Sequence, residues 1–294
     1  MTELAPLIPP GANVLFAHLM AGGVPRIKIV MPLMNRTCKG SGDRYLASKQ
    51  LWESDIGKFC EISFREVTAE TFRHLLELSE PLRRKIESAG GHVSYTGYGY
   101  HGTEILTEGK YRWQTYTPYI QGWAKKDLEN IAVEASRKGI NACIYNCPEI
   151  LTNSSSIFQG VEVSLYPLLG AIEKECKTSA AGKAVLADCK ALLKDEVQLQ
   201  DIMKFTNDYL KLPEIKEHCD FEKWPQHSSK QQLETMLNAS EHLISLHKSD
   251  KHLITSELSE VVFNSCGYVM LHDSWKPKSP VAWIGHDLVA QCIE

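Results

Sequence analysis

No stretch of the 294-residue sequence approaches the roughly 18 to 20 consecutive apolar residues that a helix needs to cross a bilayer. Its start also lacks the basic-then-apolar order of a secretion signal. Membrane insertion and export are therefore not expected, and the sequence reads as cytoplasmic. A cationic excess is missing too: 32 Lys and Arg against 36 Asp and Glu give a net charge of -4. That balance supplies no general attraction to nucleic acid or anionic lipid. Nine cysteines are too dilute for a disulfide scaffold, and an odd number cannot all pair internally. Cys143 and Cys147, the closest pair, have three residues between them and no second pair at metal-ligand spacing, so no metal site is expected. No Gly-x-Ser-x-Gly elbow surrounds Ser154, Ser155 and Ser156, which argues against a serine hydrolase.

What is present suits a packed globular chain, with 43% apolar residues. Val14-Leu15-Phe16-Ala17 reads as a buried strand that breaks at Ala21-Gly22-Gly23-Val24-Pro25. Residues 26 to 66 are irregular, apart from a helix over Leu51 to Phe64. From Thr68, Phe72, Leu75, Leu76, Leu78, Leu82 and Ile86 recur at helical spacing and stop at Gly90-Gly91. His92 to Thr96 is β-branched and aromatic, and Gly97, Gly99 and Gly102 loosen the backbone where this strand emerges. Leu128, Ile131, Ala132 and Ala135 define another helix, which stops at Gly139 before the strand Asn141 to Tyr145. Alternation of strand and helix predicts an α/β fold: a parallel sheet with flanking helices and a ligand crevice beyond the carboxyl ends of its strands. Beyond Ser164, helical patterns over about 165–177, 180–194, 198–210 and 229–248 suggest a cover on that crevice. The runs Gly267 to Leu271 and Pro280 to Ile284 read as one or two edge strands. The expected division is an α/β core over 1–170 and a mostly helical substrate cover over 171–294, packed on the same core.

The residues with chemical promise cluster at strand ends. In Tyr116-Thr-Pro-Tyr119-Ile-Gln-Gly122-Trp-Ala-Lys125 a tyrosine precedes a lysine by nine positions. A phenol has an ordinary pKa of about 10, and a nearby ammonium lowers it by favouring the phenolate. The spacing alone is common by chance, but its context is not. Gly122-Trp-Ala-Lys125-Lys-Asp-Leu-Glu129 resembles the Gly-x-Ala-Lys-x-Asp-Leu-Glu segment of the FabV-type trans-2-enoyl-thioester reductases. Asn146-Cys-Pro-Glu-Ile-Leu-Thr152-Asn-Ser-Ser155-Ser-Ile157 is similar to their Thr-x-Ala-Ser-Ser-Ala-Ile loop, and Val163-Ser-Leu165-Tyr166 to their Pro-Leu-Tyr. Asn13-Val-Leu-Phe-Ala-His18-Leu-Met-Ala21-Gly22-Gly23 looks like the fourth strand and following turn of short-chain dehydrogenases. More specifically, the chain resembles the FabMG enoyl reductases.

The resemblance implies a Rossmann-like fold and an oxidoreductase of fatty-acid metabolism that uses NADH or NADPH to reduce an enoyl thioester on acyl carrier protein or coenzyme A. It implies Tyr116 as proton donor and Lys125 as its tuner and ribose ligand. Thr152, Ser154, Ser155, Ala21 and Gly22 would meet the cofactor, and Tyr98 and Tyr119 would line the substrate crevice. A dinucleotide fold normally opens with a strand, a Gly-rich turn and a helix N-terminus that binds pyrophosphate. If Val14 to Phe16 is the fourth strand, the first β-α-β half with that cradle is missing; if it is the first, Ala21 to Val24 is the cradle, without the G-x-G-x-x-G spacing. The fourth-strand reading keeps the Tyr116 and Thr152 loops in register. It also opens a second class of function, a non-catalytic or half-site subunit completed by an upstream nucleotide-binding segment. A homo-oligomer is the other partnership considered. His18 reads as a hydrogen-bonded core histidine, and the Gly97 to Gly102 run as either a crevice lining or a glycine-permitted turn.

Overall fold

The computed structural model describes residues 3–20, 30–99, 101–114, 119–152, 160–176, 178–217 and 227–293. Among them, β1 (Val14–His18), β2 (Val93–Gly99), β5 (Ala142–Asn146) and β6 (Val281–Trp283) form one parallel sheet in the order β1-β2-β5-β6. The strands β3 (Thr103–Thr107) and β4 (Lys110–Gln114) form a separate antiparallel hairpin. The helices before the hairpin are α1 (Val30–Lys39), α2 (Ser48–Glu53), α3 (Asp55–Arg65), α4 (Thr71–Leu78) and α5 (Glu80–Ser88). Those after it are α6 (Tyr119–Arg137), α7 (Leu168–Glu175), α8 (Ala180–Ala191), α9 (Leu199–Leu210), α10 (Pro213–Lys216), α11 (Lys230–Ser245), α12 (Ile254–Asp273) and α13 (His286–Gln291).

Side chains of β5 alternate between two cores, as a strand's period of two requires. Ala142 and Ile144 join Val93, Tyr95, Phe72, Leu82, Ile86, Leu128 and Ile131 beneath α4, α5 and α6. Cys143 and Tyr145 point the other way, into a larger core with Leu165, Leu168, Ile172, Leu258 and Val262. All five β5 residues are buried, the pattern of a central parallel strand covered on both faces. The strand order also bears on the two readings of β1. In a doubly wound sheet the fourth strand lies beside the first, where the order reverses. Here each strand of the four-stranded sheet lies beyond its predecessor, and β1, β2, β5 and β6 run outward without that reversal.

Four expectations change. The helix foreseen over 68–90 is two helices, because Pro81 lacks an amide donor and crowds the carbonyl four residues back. Ser79 stitches the break: its hydroxyl donates to the Leu75 carbonyl at 2.6 Å and lies 2.6 Å from the Tyr95 hydroxyl. Gly97 and Gly99 are inside β2, where a Cβ would fall 2.5 Å from Ile144 Cδ1 and 2.4 Å from Asn146 Oδ1 respectively. Gly267 to Leu271 is part of α12 and not a strand, while Val281–Trp283 is the edge strand expected. Residues 30–39, read as irregular, are α1. The unforeseen hairpin turns through Glu108 (φ 52°) and Gly109 (φ 75°), two consecutive positive φ values that twist in the same sense as the strands they join.

Candidate active site

The carboxyl ends of β1, β2, β5 and β6 carry His18, Gly99, Asn146 and Trp283, and α6 crosses the same region. Lys125, in the second turn of α6, is fully buried there. Its ammonium donates to the Tyr98 carbonyl at 2.6 Å and the Met20 carbonyl at 3.4 Å, spanning the ends of β2 and β1. It also lies 5.6 Å from the centre of the Tyr98 ring. Burial lowers its pKa from 10.5 to about 7, opposed in part by Cys147 and Glu129. Lys125 therefore exchanges a proton near neutral pH. His18 is brought down to about 4, by burial first and then by the Lys125 charge. Its Nε2 meets Thr71 Oγ1 at 2.7 Å; since Thr71 gives its own proton to the Val67 carbonyl, His18 is the donor. That fixes a neutral imidazole at the end of β1, edge-on to Phe72, in the core role expected of it.

A second buried group lies one helical turn along. Glu129 Oε1 accepts from Asn146 Nδ2 at 2.7 Å and lies 2.5 Å from His101 Nδ1, and its Oε2 is 3.2 Å from Lys126 Nζ. His101 is held between Trp113 of β4 and Trp283 of β6, with ring centres 5.9 and 5.0 Å away. The carboxylate thus ties α6, the end of β5 and the hairpin together. In the sequence Glu129 and Asn146 stand within the family motifs and His101 within the Gly97 to Gly102 run, and none of the three is given a role by them. The only signal was that Glu129 stands one turn beyond Lys125. Replacing Glu129 by glutamine is expected to cost about 1–3 kcal/mol, because an amide cannot accept from all three neighbours; urea denaturation would check this. Unchanged stability would show the knot to be dispensable.

Past β5, burial and then the charge of Glu162 push the carboxyl of the half-buried Glu149 up to about 8. Thr152 is exposed at the far end of this loop. The structure thus brings Lys125 and Tyr98 together, and Tyr119 begins α6. Tyr116, Ser154, Ser155, Ala21 and Gly22 lie outside the described residues. Among the described residues no group of three or more His, Cys, Asp or Glu is placed to hold a metal, and no helix is long and apolar enough to cross a membrane.

A parallel sheet with helices on both faces, carrying a buried lysine and a buried carboxylate beyond its strand ends, defines an α/β protein of the Rossmann-like type. The chain belongs to the enoyl-acyl carrier protein reductase FabMG family, which matches it over residues 1–293. An apo structure of FabMG, described as a novel type of enoyl-acyl carrier protein reductase, is 45% identical with a TM-score of 0.95. That similarity covers 99% of this chain and 66% of the other. An NADH-bound structure of FabMG is 42% identical with a TM-score of 0.82, over 95% of this chain and 68% of the other. The chain thus spans about two thirds of the length of these solved structures. No curated protein matches it.

Proposed function

We propose that the chain forms the catalytic part of an NADH-dependent reductase of enoyl thioesters in fatty-acid synthesis, acting in the cytoplasm on acyl groups held by acyl carrier protein. The observation that carries this is Lys125: a buried ammonium with a pKa of about 7 at the ends of β1 and β2, in a family with an NADH-bound member. Reduced nicotinamide supplies hydride to the β-carbon of the enoyl group. Lys125 would hold ribose hydroxyls, and its charge would favour the Tyr116 phenolate, so that Tyr116 shares a proton with the enolate oxygen. Thr152, Ser154, Ser155, Ala21 and Gly22 would make the remaining cofactor contacts, with Tyr98 and Tyr119 on the acyl side. Residues 1–170 would be the nucleotide-binding core and 171–294 the substrate cover.

A second reading, a half-site subunit, is favoured by β1, which among the described residues is paired on one side only and is half-exposed over its first three residues. Parallel strands are ordinarily covered and paired. Following NADH and NADPH consumption with short enoyl thioesters on acyl carrier protein or coenzyme A tests the first reading; no turnover with any combination would sink it for the chain alone. Titration calorimetry tests the second. Without a pyrophosphate cradle, NADH should bind well short of the micromolar affinity, about -8 kcal/mol, usual for complete folds. Micromolar binding would show that this chain supplies the cradle itself.

A further inference from the structure

We infer that two anchors, Glu162 with Ser240 of α11 and Ser259 of α12, hold the backbone around Thr152 where it meets NADH, so that these three are positioning residues for the cofactor. The inference rests on the reading of Thr152 as a cofactor ligand. A residue that contacts a ligand must be held within roughly 0.5 Å of its working place, and side chains outside the contact supply that precision.

The chain leaves the carboxyl end of the sheet through Cys147, whose amide donates to the Gly99 carbonyl at 3.0 Å. Pro148 follows, with no amide proton to extend the ladder. By Leu151 the backbone has reached α12, where its amide donates to Ser259 Oγ at 2.9 Å. Ser259 gives its own proton to the Thr255 carbonyl at 2.6 Å, one turn back, which leaves its oxygen as an acceptor for that amide. Thr152 is the next residue.

The second anchor lies on α11. Gly160 has φ 87°, and a Cβ there would fall 2.6 Å from Met236 Cβ, so only glycine lets the backbone lie this close to the helix. Two residues on, the Glu162 carboxylate holds both sides of that contact. Its Oε2 accepts from the Gly160 amide at 2.8 Å, and its Oε1 accepts from the hydroxyl of Ser240, which is buried on α11. Hydrogen bonds to a carboxylate are the stronger kind. Glu149, three residues before Thr152, is within electrostatic reach of Glu162, whose charge helps to raise its carboxyl. Glu162 therefore stands near the backbone that leads into Thr152 while gripping α11.

Steady-state kinetics of the 294-residue chain, with NADH varied at saturating enoyl thioester, test this. Thr152→Val should raise the KM for NADH and sets the scale. Ser240→Ala, Glu162→Gln and Ser259→Ala should each raise it about three- to tenfold, as for the loss of one hydrogen bond. The kcat should stay within about twofold, because the anchors act on binding and not on the transition state alone. Ser240→Ala should add little to Glu162→Gln, since both break one contact, whereas Ser259→Ala should multiply with either. Ser265→Ala removes another buried hydroxyl of α12, bonded to the Val289 carbonyl at 3.1 Å, and should leave the KM unchanged. Should Glu162→Gln fail to fold, the Ser240 and Ser259 variants carry the test. An unchanged KM in the anchor variants beside a raised one in Thr152→Val would overturn the inference and leave the cofactor reading standing. An equal rise in Ser265→Ala would show a general loosening of the helices and overturn it as well. No effect of Thr152→Val, or no turnover by the wild type, would remove the reading itself and the anchors with it.

Discussion

Replacing Tyr116 by phenylalanine is expected to lower turnover of a short enoyl thioester at least a hundredfold while the melting temperature barely moves. General acid assistance is worth roughly 10² to 10⁴ in rate, and the substitution removes one hydroxyl without deleting packed carbon. Turnover should fall with little change in the KM for the thioester, as for an interaction made in the transition state. Steady-state assays paired with thermal melts separate the outcomes. A variant that unfolds would place Tyr116 in the core, and one that retains full turnover would pass proton transfer to another group, for which Glu149 on the loop past β5, its carboxyl pushed up to about 8, is the candidate.

Replacing Lys125 by methionine should abolish turnover and also alter how stability depends on pH. Unfolded chains keep the lysine proton up to about pH 10.5, whereas the folded protein releases it near 7. Between these values the unfolded state binds more protons, so wild-type stability rises with pH there. Relative to the methionine variant, the wild type should therefore gain on the order of 4 kcal/mol across that window and nothing below it. Buried thiols such as Cys143 and Cys189, both pushed up to about 12, titrate in both proteins and largely cancel in the difference. Urea denaturation of the pair at neutral pH and at about pH 9 would already reveal a difference on the order of 2–3 kcal/mol. Parallel profiles would mean that Lys125 reaches solvent in the folded state.

The sheet was largely legible because its strands are short, apolar and β-branched or aromatic, and the helices between them repeat at 3.6 residues. Legibility failed where a local pattern was weak or absent. An α12 that is apolar on both sides offers no period to detect, so Gly267 to Leu271 passed for a strand. The hairpin turns on Glu108-Gly109, which is not among the strong turn dipeptides, and its alternation spans only five residues on each side. At the candidate site, Lys125 could be found from its distance to Tyr116 and the motif around it. The part played by Glu129 could not, because its partners His101 and Asn146 are 28 and 17 residues away in the chain and meet it only when β2, β5 and α6 assemble.

The pairing of β5 with β6 joins residues 144–146 to residues 281–283. A ribosome extends the chain by some 5–20 residues each second, so β5 waits several seconds in the nascent chain before the strand that completes its edge has been synthesised. During that interval a five-residue stretch, Ala-Cys-Ile-Tyr-Asn, that ends up wholly buried has backbone donors and acceptors open to other chains. Contacts so distant in sequence also close slowly once the chain is free. Recovery of folded protein should therefore depend more on translation speed and chaperone supply than its final stability would suggest.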